Sequence, residues 1–159
     1  MKKEKGFLDV NIIKRFPSQF PEISFLGYVS NLVNVEKFIA TAGVLAPPLI
    51  EENGGVYLKE HYSLIQKCNL YERFNYNIKE IERYTNLISL WDFYTLAYDK
   101  SVEDEYLFYK FVETIRNFWE MYLHFIYPDK KFEIEISEKG FFEEDNLCMT
   151  FSQQRRCNG

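Results

Sequence analysis

Chemical signatures are what this sequence has least of. It carries two histidines, His61 and His124, and three cysteines, Cys68, Cys148 and Cys157, far apart and without a CxxC pair. An odd, scattered set of thiols argues against a disulfide framework or a cysteine zinc site and reads as reduced cysteine in a cytoplasmic protein. HExxH, GxSxG, GxGxxG and Walker-type loops are all missing, so none of the chemistries those motifs carry is written in the chain. No basic cluster is longer than Lys2–Lys5, and the formal net charge is -5. A nucleic-acid surface needs a positive face to neutralise phosphates, which sets that partner class aside. No apolar run approaches the roughly 20 residues of a membrane span. Asp9, Asn11 and Lys14 interrupt the only stretch that could be a signal-peptide core. The expectation is a non-enzymatic protein with no cofactor, no metal site and no membrane segment.

What the chain does have is apolar mass. Its 159 residues are 47% hydrophobic and 18% aromatic, enough for one packed domain and too much for disorder. The most aromatic periodic run is Ser101 to Pro128. Phe108, Phe111, Val112, Ile115, Phe118, Trp119, Tyr122, Leu123 and Ile126 recur at helical spacing. Ser101 reads as its N-cap and Pro128 as its stop. Aromatics at this spacing pack inward, because each buries a large area, so the stripe reads as core rather than a stacking platform. Asn77 and Glu80 form a capping box that opens a second long helix, Ile78 to about Tyr98. Asn34 caps a shorter one ending at Pro47–Pro48, with Val35, Phe38, Ile39, Ala42 and Leu45 as its inward stripe.

Two hairpins complete the reading. Asn53–Gly54 is a type I′ turn signal between Leu49–Glu52 and Gly55–Lys59. Phe132, Ile134 and Ile136, then Leu147, Met149 and Phe151, alternate with polar residues and predict two strands, each with one apolar face. Residues 1–22 read as an extended N-terminal segment in which Phe7–Phe16 is a short helix or a strand, and 154–159 as a frayed tail. The expected class is a single α+β domain: two long helices and a shorter one packed against antiparallel β-hairpins.

The acidic C-terminal hairpin is the surface this pattern singles out. Glu133 and Glu135 share a strand face, and Glu138, Glu143, Glu144 and Asp145 crowd the loop around Phe141 and Phe142. Aromatics rimmed by carboxylates make an anchor-and-rim surface for a basic protein partner. The bland counterpart is a solvated loop whose rings fold back on the core. A second candidate is a pocket between helices and sheet near Asp92, which sits in the apolar stretch SLWDFYTL, with His61. It implies a small-molecule binder or an enzyme, against the reading of Asp92 as an exposed or hydrogen-bonded helix residue. A third class, a subunit of a larger complex, would present a flat apolar patch.

Several short words carry a resemblance: Val35-Glu36-Lys37-Phe38-Ile39, Pro47-Pro48-Leu49-Ile50-Glu51, Gly55-Val56-Tyr57-Leu58, Ile81-Glu82 and Asn86 before Leu90-Trp91-Asp92-Phe93, and Met149-Thr150-Phe151-Ser152-Gln153 before Arg155. Over Val35–Arg155 the chain resembles a group of small uncharacterised bacterial proteins, some of which resemble immunity proteins of polymorphic toxin systems. The resemblance implies a non-catalytic protein-binding module that neutralises a toxin by occluding it, and it carries no catalytic residue across.

Overall fold

A computed structural model describes residues 6–18, 24–96 and 100–155. A 3-10 turn, Val10–Arg15, is followed by α1 (Phe25–Leu32), α2 (Val35–Leu45), β1 (Leu49–Glu52) and β2 (Gly55–Leu58). Next come α3 (Leu64–Lys67), α4 (Leu70–Arg73), α5 (Ile78–Thr85), β3 (Ile88–Ser89) and α6 (Leu90–Thr95). A second 3-10 turn, Lys100–Glu103, leads into α7 (Glu105–Ile126), and β4 (Phe132–Ser137) and β5 (Cys148–Gln153) close the order. Helices and antiparallel sheets on one chain give the expected α+β class.

Two sheets share the interior. β1 and β2 form a hairpin in which Leu49 faces Leu58 and Glu52 faces Gly55. Asn53 and Gly54 take φ of 51° and 79°, the two positive angles a type I′ turn requires. The second sheet has the order β3-β5-β4, with Phe132 opposite Gln153, Ser137 opposite Cys148 and Ile88 opposite Met149. α7 covers one face. Its Val112, Ile115, Trp119 and Leu123 join Val56, Leu58, Leu90, Leu147, Met149 and Phe151 in the main core. The other face packs on α3, α4 and α5 through a second cluster of Tyr57, Ile65, Leu70 and Ile81. Tyr57 is fully buried and leaves no room beside it: a Cβ on Gly55 would come within 2.0 Å of its hydroxyl oxygen.

Four expectations need correcting. The helix from Ile78 to about Tyr98 is divided at Asn86, and Tyr98 lies outside the described residues. Asn86 ends α5 because its side chain is spent elsewhere. Its Oδ1 accepts from the Leu58 N–H (2.8 Å), and its Nδ2 donates to the Val56 and Phe151 carbonyls (2.8 and 3.1 Å). Ser89 then starts α6 by accepting from the Asp92 N–H at 3.2 Å. Second, β5 is buried on both faces, not one. Thr150 and Ser152 lie under α5, and the Thr150 hydroxyl donates to the Arg83 carbonyl at 2.7 Å. Third, Asp104, not Ser101, caps α7, accepting from the Tyr106 and Leu107 N–H groups. Fourth, Arg155 is not frayed, because its guanidinium donates to Glu82 and to the Gly54 carbonyl. Residues 156–159 lie outside the described residues.

The N-terminal segment is tied down on α7 and its cap, through Phe118, Leu107 and Asp104. Ile12 and Ile13 pack with Leu107, and Phe25 and Tyr28 of α1 cover them. Arg15 reaches Asp104 through Nε (3.0 Å to Oδ2) and Nη2 (2.9 Å to Oδ1). Partial loss of hydration acts to raise the Asp104 pKa. The bonds from Arg15 and from the Leu107 and Tyr106 N–H groups outweigh it and hold the carboxyl below its ordinary range.

Two outcomes follow from these contacts. Asn86→Ala strands one buried N–H and two buried carbonyls, and the expected loss is roughly 3 kcal/mol of unfolding free energy in urea titrations; a loss under about 1 kcal/mol would remove Asn86 as the joint between the sheets. Asp104 has a lowered folded-state pKa. Its contribution is therefore complete above the unfolded carboxyl's pKa, about 3.9, and disappears as the pH falls through the folded value. The Tm difference between wild type and Asp104→Asn is expected to be constant near neutral pH and to close in strong acid.

Candidate functional site

The acidic hairpin residues do come together, but most are already paired. Glu133 meets Lys79 at 3.2 Å. Glu135 takes two bonds from Arg83, 2.7 Å from Nε and 3.0 Å from Nη2, while Nη1 of the same guanidinium holds Glu80 at 2.8 Å. Glu143 is bound by Arg73, which is the main reason its carboxyl pKa lies below the usual range. Burial opposes the charge on Arg83, and the bonds to Glu135 and Glu80 more than restore it, so its pKa rises. The rings fold back as well. Phe142 stacks edge-on against Phe74 (5.6 Å) and Tyr84 (5.2 Å), and Arg83 lies over the Phe141 and Phe142 rings. Glu138 accepts from the Tyr109 hydroxyl at 3.4 Å. Glu144 and Asp145 are exposed at the loop tip.

Arg73, Lys79 and Arg83 were the residues that sequence order hid. They sit on α4 and α5, far from the hairpin in the chain, and pair directly with Glu143 of its loop and Glu133 and Glu135 of β4.

Asp92 and His61 are not brought into one pocket. Asp92 is exposed in the first turn of α6. His61 lines a cleft of about 350 Å³ between α2, the end of β2, β3, α6 and α7, with Ala40, Gly43, Val44, Pro47, Pro48, Leu58, Glu60, Ile88, Phe93 and Trp119. Nδ1 of His61 lies 3.2 Å from the Thr85 carbonyl oxygen. A carbonyl only accepts, so that nitrogen carries the proton. Trp119 donates its indole N–H to the Val44 carbonyl at 2.9 Å, fixing the C-terminal end of α2 on α7. No group of three or more His, Cys, Asp or Glu placed to hold a metal occurs among the described residues, and no helix there is long and apolar enough to cross a membrane. Burial raises the pKa of Cys148, which leaves it an unreactive thiol.

The largest departure from expectation is α2. Its stripe was expected to face inward. Only Leu45 packs on the main core. Val35 is 75% exposed, Phe38 56% and Ile39 64%, and Leu26 on α1 is 86% exposed. Neither α1 nor α2 contains a fully buried residue. Helical period identifies an apolar face but not what covers it, so no signal in α2 itself could have revealed this.

Comparison of the chain with protein-family models, with curated proteins and with solved structures finds no match.

Arg83 tests the paired-acid description. Arg83→Ala releases Glu80 and Glu135 together and removes the cation over Phe141 and Phe142. The expected cost is about 2 kcal/mol by urea titration. Glu144→Ser and Asp145→Ser, at the free loop tip, are expected to stay within about 0.5 kcal/mol of wild type.

Proposed function

We propose that this chain is a non-catalytic protein-binding module whose partner seats on the outward apolar face of α1 and α2, and that it acts in the manner of an immunity protein, by covering a basic toxin-like protein. The observation that carries this reading is the exposure of Leu26, Val35, Phe38 and Ile39 on helices that bury no residue of their own. Monomeric proteins seldom leave large side chains grouped in this way without a partner. The acidic hairpin, first choice on sequence, is less suited to be the contact, since breaking the Arg73, Lys79 and Arg83 pairs would cost energy before any partner bound. The formal charge of -5 supports attraction of a basic partner at long range, which speeds encounter more than it adds affinity.

The second reading is a subunit of a larger assembly, which the same exposed face favours. Both are addressed by one comparison. Wild type and the triple variant Val35→Ser, Phe38→Ser, Ile39→Ser are used as baits in lysate of the native host, and retained proteins are purified for reconstitution. The three positions are exposed, so the variant is expected to keep wild-type stability to within about 0.5 kcal/mol. The expected outcome is one basic protein that binds wild type one-to-one and is lost with the variant. Several proteins retained in fixed stoichiometry would establish the assembly reading instead. Identical retention by both baits would overturn the assignment of this face.

A further inference from the structure

Gly43 lies inside α2, where glycine weakens a helix relative to alanine. Nothing in the backbone asks for it. Its φ is not positive, and a Cβ built on it would meet no atom within 4 Å. What the missing side chain does is leave space in the cleft that Gly43 lines together with Trp119, Phe93, His61 and Glu60.

The chemistry of that cleft is one-sided. Its obvious donors are already spent. The Trp119 indole N–H goes to the Val44 carbonyl, the Leu58 N–H to Asn86, and the His61 Nδ1–H to the Thr85 carbonyl. Pro47 and Pro48 have no N–H to give, and the backbone of Ala40, Gly43 and Val44 is engaged in α2. The acceptors are not spent. Glu60 pairs with no cation among the described residues, and the His61 tautomer that donates Nδ1–H to the Thr85 carbonyl presents Nε2 as an acceptor. The rest of the lining is aliphatic or aromatic. About 350 Å³ falls within the size range of small-molecule sites, which combine an apolar wall with a few placed polar groups.

We infer that the cleft between α2 and α7 is a binding site for a small organic ammonium: an apolar, preferably aromatic, body seated against Trp119, Phe93 and the gap at Gly43, with its cationic head towards Glu60 and His61. An aromatic wall suits a cation as well as an apolar ring. This site is distinct from the protein-binding face in that Leu26, Val35, Phe38 and Ile39 are not among its lining residues, although Gly43 lies one helical turn from Ile39 on α2.

The test uses three probes of one shape: 2-phenylethylamine, 2-phenylethanol and phenylacetate. Binding to the full chain is followed by the indole N–H resonance of Trp119, with that of Trp91, which is outside the cleft lining, as the internal reference. The expected result is saturable movement of the Trp119 signal with the amine, weaker binding of the alcohol and none of the acid. Glu60→Gln is expected to weaken the amine about fivefold, the scale of an exposed ion pair, and to leave the alcohol unchanged. Gly43→Leu is expected to abolish all probe binding while keeping or raising Tm, since a Cβ there meets no atom within 4 Å. Equal affinity for the three probes would overturn the charge argument. Saturable amine binding that survives Gly43→Leu would place the site elsewhere, and no movement of the Trp119 signal at millimolar amine would show that the cleft is no ammonium site.

Discussion

Two side chains of one short helix decide whether this chain has one body or two. Glu82 and Asn86 are one helical turn apart at the end of α5, both fully buried. Between them they bond the Val56 and Leu58 N–H groups and the Val56 carbonyl on β2, and the Phe151 carbonyl and Gln153 N–H on β5. β2 and β5 belong to different sheets. β3 is only two residues long and covers β5 only at Cys148 and Met149, so the far half of that edge has no strand beside it. The edge of β2 away from β1 is in the same position. Unpaired backbone groups in an interior are costly, and here the two edges are satisfied by α5 instead of by each other.

A buried carboxylate is an expensive joint. It persists where its charge is countered and its lone pairs are filled. The Glu82 carboxylate accepts from the Val56 N–H at 2.9 Å, the Gln153 N–H at 3.0 Å and Arg155 at 2.8 Å, while the other arm of Arg155 closes on the Gly54 carbonyl in the hairpin turn. The last strand and the first hairpin are thereby coupled through one guanidinium. This also explains why β2 and β5 lack the alternation of a half-exposed sheet. Each has α7 on one side and α5 on the other, and the small polar residues Thr150 and Ser152 occupy the α5 side.

What could be read from the chain divides along the range of the forces involved. The Asn53–Gly54 turn, the Asn34 and Asn77 caps and the end of α7 at Tyr127 depend on neighbouring residues, and all were legible. The break at Asn86 was not, because its cause lies on β2 and β5. Asn86 has the spacing of a helix interior and a side chain that competes with helix only when remote backbone groups offer better bonds. The acidic hairpin was legible only in part: the run of carboxylates was visible, while their partners Arg73, Lys79 and Arg83 were hidden by sequence distance. His61 was singled out and does line a cleft. Asp92, chosen for its apolar neighbours, sits where α6 meets solvent.

α2 is the element whose sequence and setting disagree most. An 11-residue helix is marginal alone in water. This one is maintained by the Asn34 cap at one end and, at the other, by Leu45 and the bond from Trp119 to the Val44 carbonyl. Trp119 is itself fixed edge-on to Phe151 at 5.5 Å, so the main core holds α2 by its last turn. The residues that maintain the helix and those that face outward are therefore separate sets. Val35, Phe38 and Ile39 add little to the fold that holds them in place, and substitutions there report on what α2 binds rather than on whether the chain folds.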